Sequence, residues 1–196
     1  MSSAALKRLS WEEYVEHERH ATGKSEFFDG ELFAMAGGSA NHSLVATNFC
    51  GEARNALKPR DCRVHGSDLR VRCPNGLGTY PDASIVCGEP QYEGDDENTL
   101  LNPLVIVEVL SPTTEAYDRG KKFEHYQTLP SLQEYVLISQ DHVRIEHFAR
   151  QSQFGQWLLT TYNDPDGRLE LPAVGITLSI AELYAKVKFE EADADE

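Results

Sequence analysis

The chain has 196 residues, 40% of them hydrophobic and 26% charged, with a formal net charge of −14. That length suits one domain with a sizeable buried core, and that balance is ordinary for a globular protein. The charge excludes a general polyanion coat, so contact with nucleic acid has to use a local basic group: Lys58, Arg60 and Arg63; Arg70 and Arg72; or Arg119, Lys121 and Lys122.

No apolar run approaches the roughly 20 residues of a membrane span. The opening MSSAALKRLSWEEY lacks the apolar centre of a secretion signal, and the expected location is cytoplasmic. Cys50, Cys62, Cys73 and Cys87 stand far apart with no C-x-x-C pair, which reads as reduced thiols rather than disulfides or a zinc site. Residues 1–186 read as one domain and residues 187–196, which end in EEADADE, as an acidic, flexible tail.

Along the chain, Ser10-Trp11-Glu12-Glu13 forms a capping-box pattern that opens a short helix to about Ala21. Residues 25–29 and 31–36 read as strands joined at Asp29-Gly30, a good hairpin dipeptide. Gly37-Gly38 breaks the pattern, and Ser39 can cap a long helix to about Lys58, stopped by Pro59. One or two strands follow in residues 62–73, and another in residues 80–87 with Pro81 at its start. EPQYEGDDEN, residues 89–98, carries five acids and reads as a solvated loop.

Residues 104–110 are apolar enough for a strand covered on both faces, interrupted by Glu108. Ser111-Pro112 ends it, and a helix is expected over residues 115–129. Residues 134–139, 143–149 and 156–162 read as three antiparallel strands turned at Gln140-Asp141 and Phe154-Gly155. Asp164-Pro165-Asp166-Gly167 is a turn, and Ser179-Ile180-Ala181-Glu182 a last capping box. The class is α/β with a mixed, partly antiparallel sheet.

Four places could carry chemistry. Pro81-Asp82 and Glu108 lie on successive strong strands, where two carboxylates could share a hard divalent ion; alone, Pro-Asp is a turn and Glu108 the partner of a buried arginine. Asp118, Lys122 and Tyr126 are spaced four apart, which is either a solvated acid–base pair or a lysine held over a metal site. Lys121 is turned about 100° from Lys122 on a helix, so both cannot point inward. Glu26 on the first hairpin either faces solvent or joins the same cleft. His42, in the first turn of the long helix, is either a surface residue or a phosphate contact at a helix N-terminus.

KSEFFDGELFAMAGGSANHS, YPDASIV, PLVIVEVLSPTTEAYDRGKKFEHY and LQEYVLIS, in that order, resemble the Uma-type putative restriction endonuclease family of the PD-(D/E)XK nuclease superfamily. The resemblance implies a restriction-endonuclease-like core with flanking helices and additional antiparallel strands, and a cleft binding Mg²⁺ or Mn²⁺. It implies an endonuclease hydrolysing DNA phosphodiester bonds, with a homodimer as the reasonable assembly. Asp82 and Glu108 match the motif acids and would hold the metal with the Val109 carbonyl; Glu26 matches an accessory acid. Lys122 matches the catalytic lysine, displaced from the superfamily position, which is Leu110 here. His42, Lys121, Arg119 and Tyr126 would contact substrate. The alternatives are a catalytically inactive DNA- or protein-binding module of the same fold, or a phosphoesterase acting on small substrates.

Overall fold

The structure, a computed structural model, describes residues 8–94, 96–151 and 155–189. It opens with α1 (Trp11–His20), whose N-cap Ser10 and Glu13 exchange both bonds of a capping box. β1 (Ser25–Phe28) and β2 (Glu31–Ala34) form an antiparallel hairpin. Its turn has positive φ at both Asp29 (48°) and Gly30 (82°), the geometry that matches strand twist. A side chain at Gly30 would meet Arg8, so this turn requires glycine twice over.

α2 (Ala40–Leu57) follows the glycine pair. β3 (Cys62–Gly66), β4 (Arg70–Arg72), β5 (Gly78–Thr79), β6 (Ala83–Cys87), β7 (Tyr92–Glu93) and β8 (Asp96–Leu100) come next, then β9 (Val105–Leu110). α3 (Glu115–Arg119) and α4 (Lys121–Tyr126) precede β10 (Glu134–Ser139), β11 (Ile145–Arg150) and β12 (Trp157–Tyr162). β13 (Arg168–Leu171), β14 (Ile176–Ser179) and the single turn α5 (Ile180–Leu183) close the described chain.

The fold is mixed α/β, built on two six-stranded sheets. One runs β12-β11-β10-β9-β6-β3 and the other β2-β1-β5-β4-β8-β7, each containing one parallel pair, β10/β9 and β4/β8 respectively. β9 is buried along its whole length and alternates between two cores. Val105, Val107 and Val109 pack with α2, the β13/β14 hairpin and α5. Ile106 and Leu110 pack on the other face with α4, Tyr135 and β4. Glu108 shares that second face by the two-residue strand period, so it points between the two sheets.

Several expectations need correction. The helix expected over residues 115–129 is broken at Gly120 (φ −115°, ψ −98°), a residue with weak helical preference, into α3 and α4. The acidic segment 89–98 is largely exposed, as expected, but it is not all loop: it contributes β7 and the start of β8, with Glu93 paired to Arg72. The β13/β14 hairpin was not foreseen. Ser179 belongs to β14 and makes no side-chain cap to α5.

Two of the four cysteines are not thiols. The β3/β6 register sets Cys62 opposite Cys87, and the two form a disulfide, while Cys50 and Cys73 are free. Cross-strand pairing, invisible in their separation of 25 residues, makes the contact. Of the segment expected as a tail, residues 187–189 are described. Val187 packs on the core, the Lys188 carbonyl accepts from Asn41 and Phe189 meets Tyr184; residues 190–196 lie outside the described residues, as does Phe154 of the expected turn. Among the described residues no helix is long and apolar enough to cross a membrane.

Candidate active site

The C-terminal end of β9, the strand before it and the helices after it bring the sequence-selected side chains together. Glu108 enters the space between the sheets from β9. Glu26 enters from β1 of the facing sheet, while its neighbour Phe27 turns the other way into an aromatic cluster with Trp11 and Tyr14. Glu26 is therefore not solvent-facing: it is 8% exposed. Thr79 donates to it at 2.5 Å, and the Tyr117 hydroxyl is hydrogen-bonded to it as well.

Lys122 sits among the acids. Its Nζ lies 2.9 Å from Glu108, 3.3 Å from Glu26 and 3.4 Å from Asp118, tying both sheets to α3. The neighbouring lysine goes outward: Lys121 has a 62% exposed side chain and pairs with Glu124. The spacing alone could not choose between them, but the helix face does.

Asp82 stands one residue before β6. The pairing of Ala83 with Val107 carries it to the end of β9, where it accepts a hydrogen bond of 2.7 Å from the Val109 N–H. His42 Nε2 approaches the same Asp82 oxygen at 3.3 Å. That histidine is held by its helix: the Ser39 side chain accepts from the His42 N–H at 3.1 Å and itself donates to Gln140. Gly38 is required beside it, since a Cβ there would come within 2.6 Å of the His42 ring.

A cleft of about 840 Å³ opens beside this arrangement. Asp82, His42, Tyr80, the Gly37-Gly38 loop and Lys24 are in its wall, whereas Glu26, Glu108, Asp118 and Lys122 do not line it. The site thus has an open part, Asp82 and His42, and a buried part behind it.

The electrostatics follow from burying three carboxylates, Glu26, Glu108 and Asp118, around one ammonium, with the Asp82 charge nearby. Burial pushes the Glu108 carboxyl up to about 8; Lys122 and the Tyr126 hydroxyl oppose this, and the charges of Asp118 and Asp82 add to it. Burial likewise raises Asp118, against the pull of Lys122 and Thr114. Burial alone would lower Lys122, but Glu108, Glu26 and Asp118 together outweigh it and hold the ammonium charged. The hydrogen bond to Asp82 raises His42, against burial and with help from the Asp82 charge and the Val109 backbone.

Not every expected contact lies at the cleft. Tyr126 was expected at the substrate but is fully buried, and its hydroxyl donates to Glu108 at 2.6 Å. Arg119 is engaged by Glu115 at 2.7 Å and by buried Glu146 on β11. The sequence reading also left out participants. Asp118 was visible four residues before Lys122, whereas nothing in the sequence marked Thr79 or Tyr117, which meet Glu26 only through the fold. Among the described residues no group of three or more His, Cys, Asp or Glu side chains is arranged to hold a metal ion, because three of the acids turn to the Lys122 ammonium.

The chain matches the model of the Uma2 family, described as "putative restriction endonuclease", over residues 11–181. It is 39% identical over 190 residues to the uncharacterized protein slr1290 of Synechocystis sp., covering 95% of this chain and 97% of that one. A second Synechocystis protein, the uncharacterized sll1609, is 35% identical over 171 residues, covering 87% and 96%. The crystal structure of a "putative nuclease belonging to DUF820" from Anabaena variabilis superposes with a TM-score of 0.73 at 21% identity, covering 90% of this chain and 98% of that one. Likeness at that identity speaks for the fold, which is a nuclease fold. With a family model spanning nearly the whole described chain, and two relatives matched over most of their length, the chain belongs to the Uma2 family.

Proposed function

We propose that this chain is a metal-dependent endonuclease hydrolysing phosphodiester bonds in DNA. The observation that carries the reading is the gathering of Glu26, Glu108 and Asp118 around Lys122, with Asp82 hydrogen-bonded to the backbone one residue beyond Glu108. The family and the nuclease fold support the reaction class.

Carboxylate and carbonyl oxygens are the donors a hard divalent cation takes, although among the described residues three of the acids are turned to Lys122 and not to a shared ion. Three carboxylates share the Lys122 ammonium with Asp82 standing beside them, and burial holds the Glu108 carboxyl high against the pull of Lys122. Asp82, Glu108 and the Val109 carbonyl would hold Mg²⁺ or Mn²⁺, both of which favour oxygen donors. Bound there, the ion supplies Lewis acidity toward the phosphate and lowers the pKa of a water.

The protein's own groups do the rest. The Lys122 ammonium, fixed by its carboxylates, offsets charge that gathers on the phosphate oxygens during hydrolysis. Thr79 and Tyr117 orient Glu26, which keeps the ammonium in place from the facing sheet. His42, in the first turn of α2, presents a proton donor in the cleft wall where a helix N-terminus already favours a phosphate.

Incubation of supercoiled and branched DNA with Mg²⁺ tests the reading. Cleavage that disappears in Glu108→Ala is expected, together with Mn²⁺ binding that is weakened in Asp82→Asn. Retarded but uncut DNA would replace the enzyme by an inactive binding module. Turnover of small phosphodiesters, with no salt-dependent DNA binding, would replace it by a small-substrate phosphoesterase.

A further inference from the structure

Phe33 on β2 is 49% exposed and belongs to none of the three hydrophobic clusters among the described residues. The β1/β2 register sets it opposite Glu26, and Leu32 opposite Phe27. Leu32 and Phe27 pack with Trp11 and Tyr14, so by the two-residue strand period Phe33 and Glu26 share the other face. A row of side chains crosses that face. Val71 lies in the core, Thr79 donates to Glu26, Glu26 meets the Lys122 ammonium, and Phe33 ends the row at the sheet edge. Opposed residues stand roughly 5 Å apart at Cβ, which puts the ring one side chain from Lys122. Met35 continues the pairing, its N–H bonded to the Lys24 carbonyl, and both residues are in the wall of the cleft that holds Asp82 and His42. Phe33 is therefore the next side chain along that wall's strand face.

A single exposed apolar side chain is ordinary on a protein surface, and exposure alone assigns it nothing. Its surroundings do. Among the described residues the ionisable acids and bases in the cleft wall are Glu18, Asp68, Asp82, Lys24 and His42, and Lys24 is already 2.7 Å from Asp68. Negative charge outweighs positive there, so charge does not draw a run of phosphates along this wall. The bases of a nucleic acid are under no such penalty. Each has a flat, uncharged face, and an aromatic ring holds it by stacking whatever its identity. In a continuous duplex neighbouring pairs cover both faces of every base. An unpaired strand, a fork or an extruded nucleotide leaves one open.

We infer that Phe33 stacks on an unpaired base beside the site, and that the DNA this chain takes is single-stranded or forked rather than continuous duplex. The inference rests on the nuclease reading for the identity of the ligand and adds which form of it is bound. Met35, a flexible apolar side chain two residues along the same face, extends the shelf toward Asp82. Phe33 is a binding residue: its ring carries no charge and no exchangeable proton. Its loss therefore weakens the hold on an unpaired strand and leaves Asp82, Glu108 and Lys122 as they are.

Fluorescence anisotropy of the full chain with end-labelled single-stranded, forked and blunt duplex DNA of equal length tests it, in Ca²⁺ with Mg²⁺ and Mn²⁺ absent, so that binding is read apart from cutting. The wild type is expected to bind the single strand and the fork more tightly than the duplex. Phe33→Ala should weaken both by at least about fivefold, leave duplex binding unchanged and melt with the wild type, since the ring is exposed. Phe33→Trp should keep the affinity, and its added indole should lose emission on the single strand, measured against the two tryptophans of the wild type. A wild type that prefers duplex, or a Phe33→Ala variant whose single-strand affinity is unchanged or falls equally for all three DNAs, would overturn the inference and leave a DNA enzyme in place. A wild type that binds none of the three would overturn the nuclease reading and the inference with it. The expected preference without any cutting in Mg²⁺ would uphold the inference and overturn the catalysis alone.

Discussion

The Lys122 ammonium lies 2.9 Å from the Glu108 carboxylate, and both side chains are less than a tenth exposed. Removing the lysine leaves Glu26, Glu108 and Asp118 crowded together in a buried place with no cation among them. Lys122→Met should therefore cost about 3–5 kcal/mol of stability and abolish DNA cleavage. Lys121→Ala, at an exposed pair, should stay within about 0.5 kcal/mol. Denaturant unfolding of the two variants side by side checks this, and equal losses would mean the wrong lysine has been placed at the site.

Stability of the metal-free protein should fall as pH rises from about 5 to about 8. Glu108 has its folded pKa raised to about 8, well above the ordinary carboxylate range. The folded state therefore keeps a proton that the unfolded chain has already lost. Its stabilising contribution is complete below the unfolded pKa and disappears as pH climbs through the folded one. His42, also raised, adds in the same direction at the upper end of that window. Melting temperatures in Glu108→Gln should show a flatter profile, and a wild-type profile that rises over this range would refute the assignment.

Tyr126→Phe isolates one hydrogen bond. The hydroxyl donates to Glu108 and favours its ionised form, so its loss should move the pH-dependent decline upward and cost about 1–2 kcal/mol. The ring stays buried, so cleavage should survive with an alkaline-shifted pH profile. Loss of all activity without that shift would point to a direct substrate role instead.

His42 is positioned from two sides, by the Ser39 cap and by the space at Gly38. Gly38→Ala should push the ring away from Asp82 and reproduce much of the defect of His42→Gln in DNA binding, with little change in Mn²⁺ affinity. Binding isotherms for both ligands distinguish this from general unfolding.

Glu146 anchors α3 to β11 through Arg119, while the Tyr135 hydroxyl holds the Asp118 carbonyl at 3.0 Å. Glu146→Gln should weaken that hold by about 1–3 kcal/mol and lower kcat more than it raises KM, because Asp118 and Lys122 lose their fixed geometry. A change confined to KM would place Arg119 at the substrate after all.

Local chemistry was legible in the sequence where it acts over a few residues. Ser10 and Ser39 cap their helices, Asp29-Gly30 makes its turn, and the apolar run at residues 105–110 is a strand covered on both faces. Each depends on backbone sterics, on hydrogen bonds within one helical turn or on an alternation that a short window contains. The motif order was equally legible and carried the family with it. Tertiary structure alone decided which groups meet: that Glu26 crosses from the other sheet to Lys122, that Thr79 and Tyr117 orient it, and that Tyr126 serves Glu108 from within the core. The strands inside the acidic segment, β7 and the start of β8, and the pair Cys62–Cys87 were missed for the same reason. Strand pairing couples residues through the geometry of the whole sheet, and a carboxylate or a thiol takes its state from neighbours that the linear chain keeps far away.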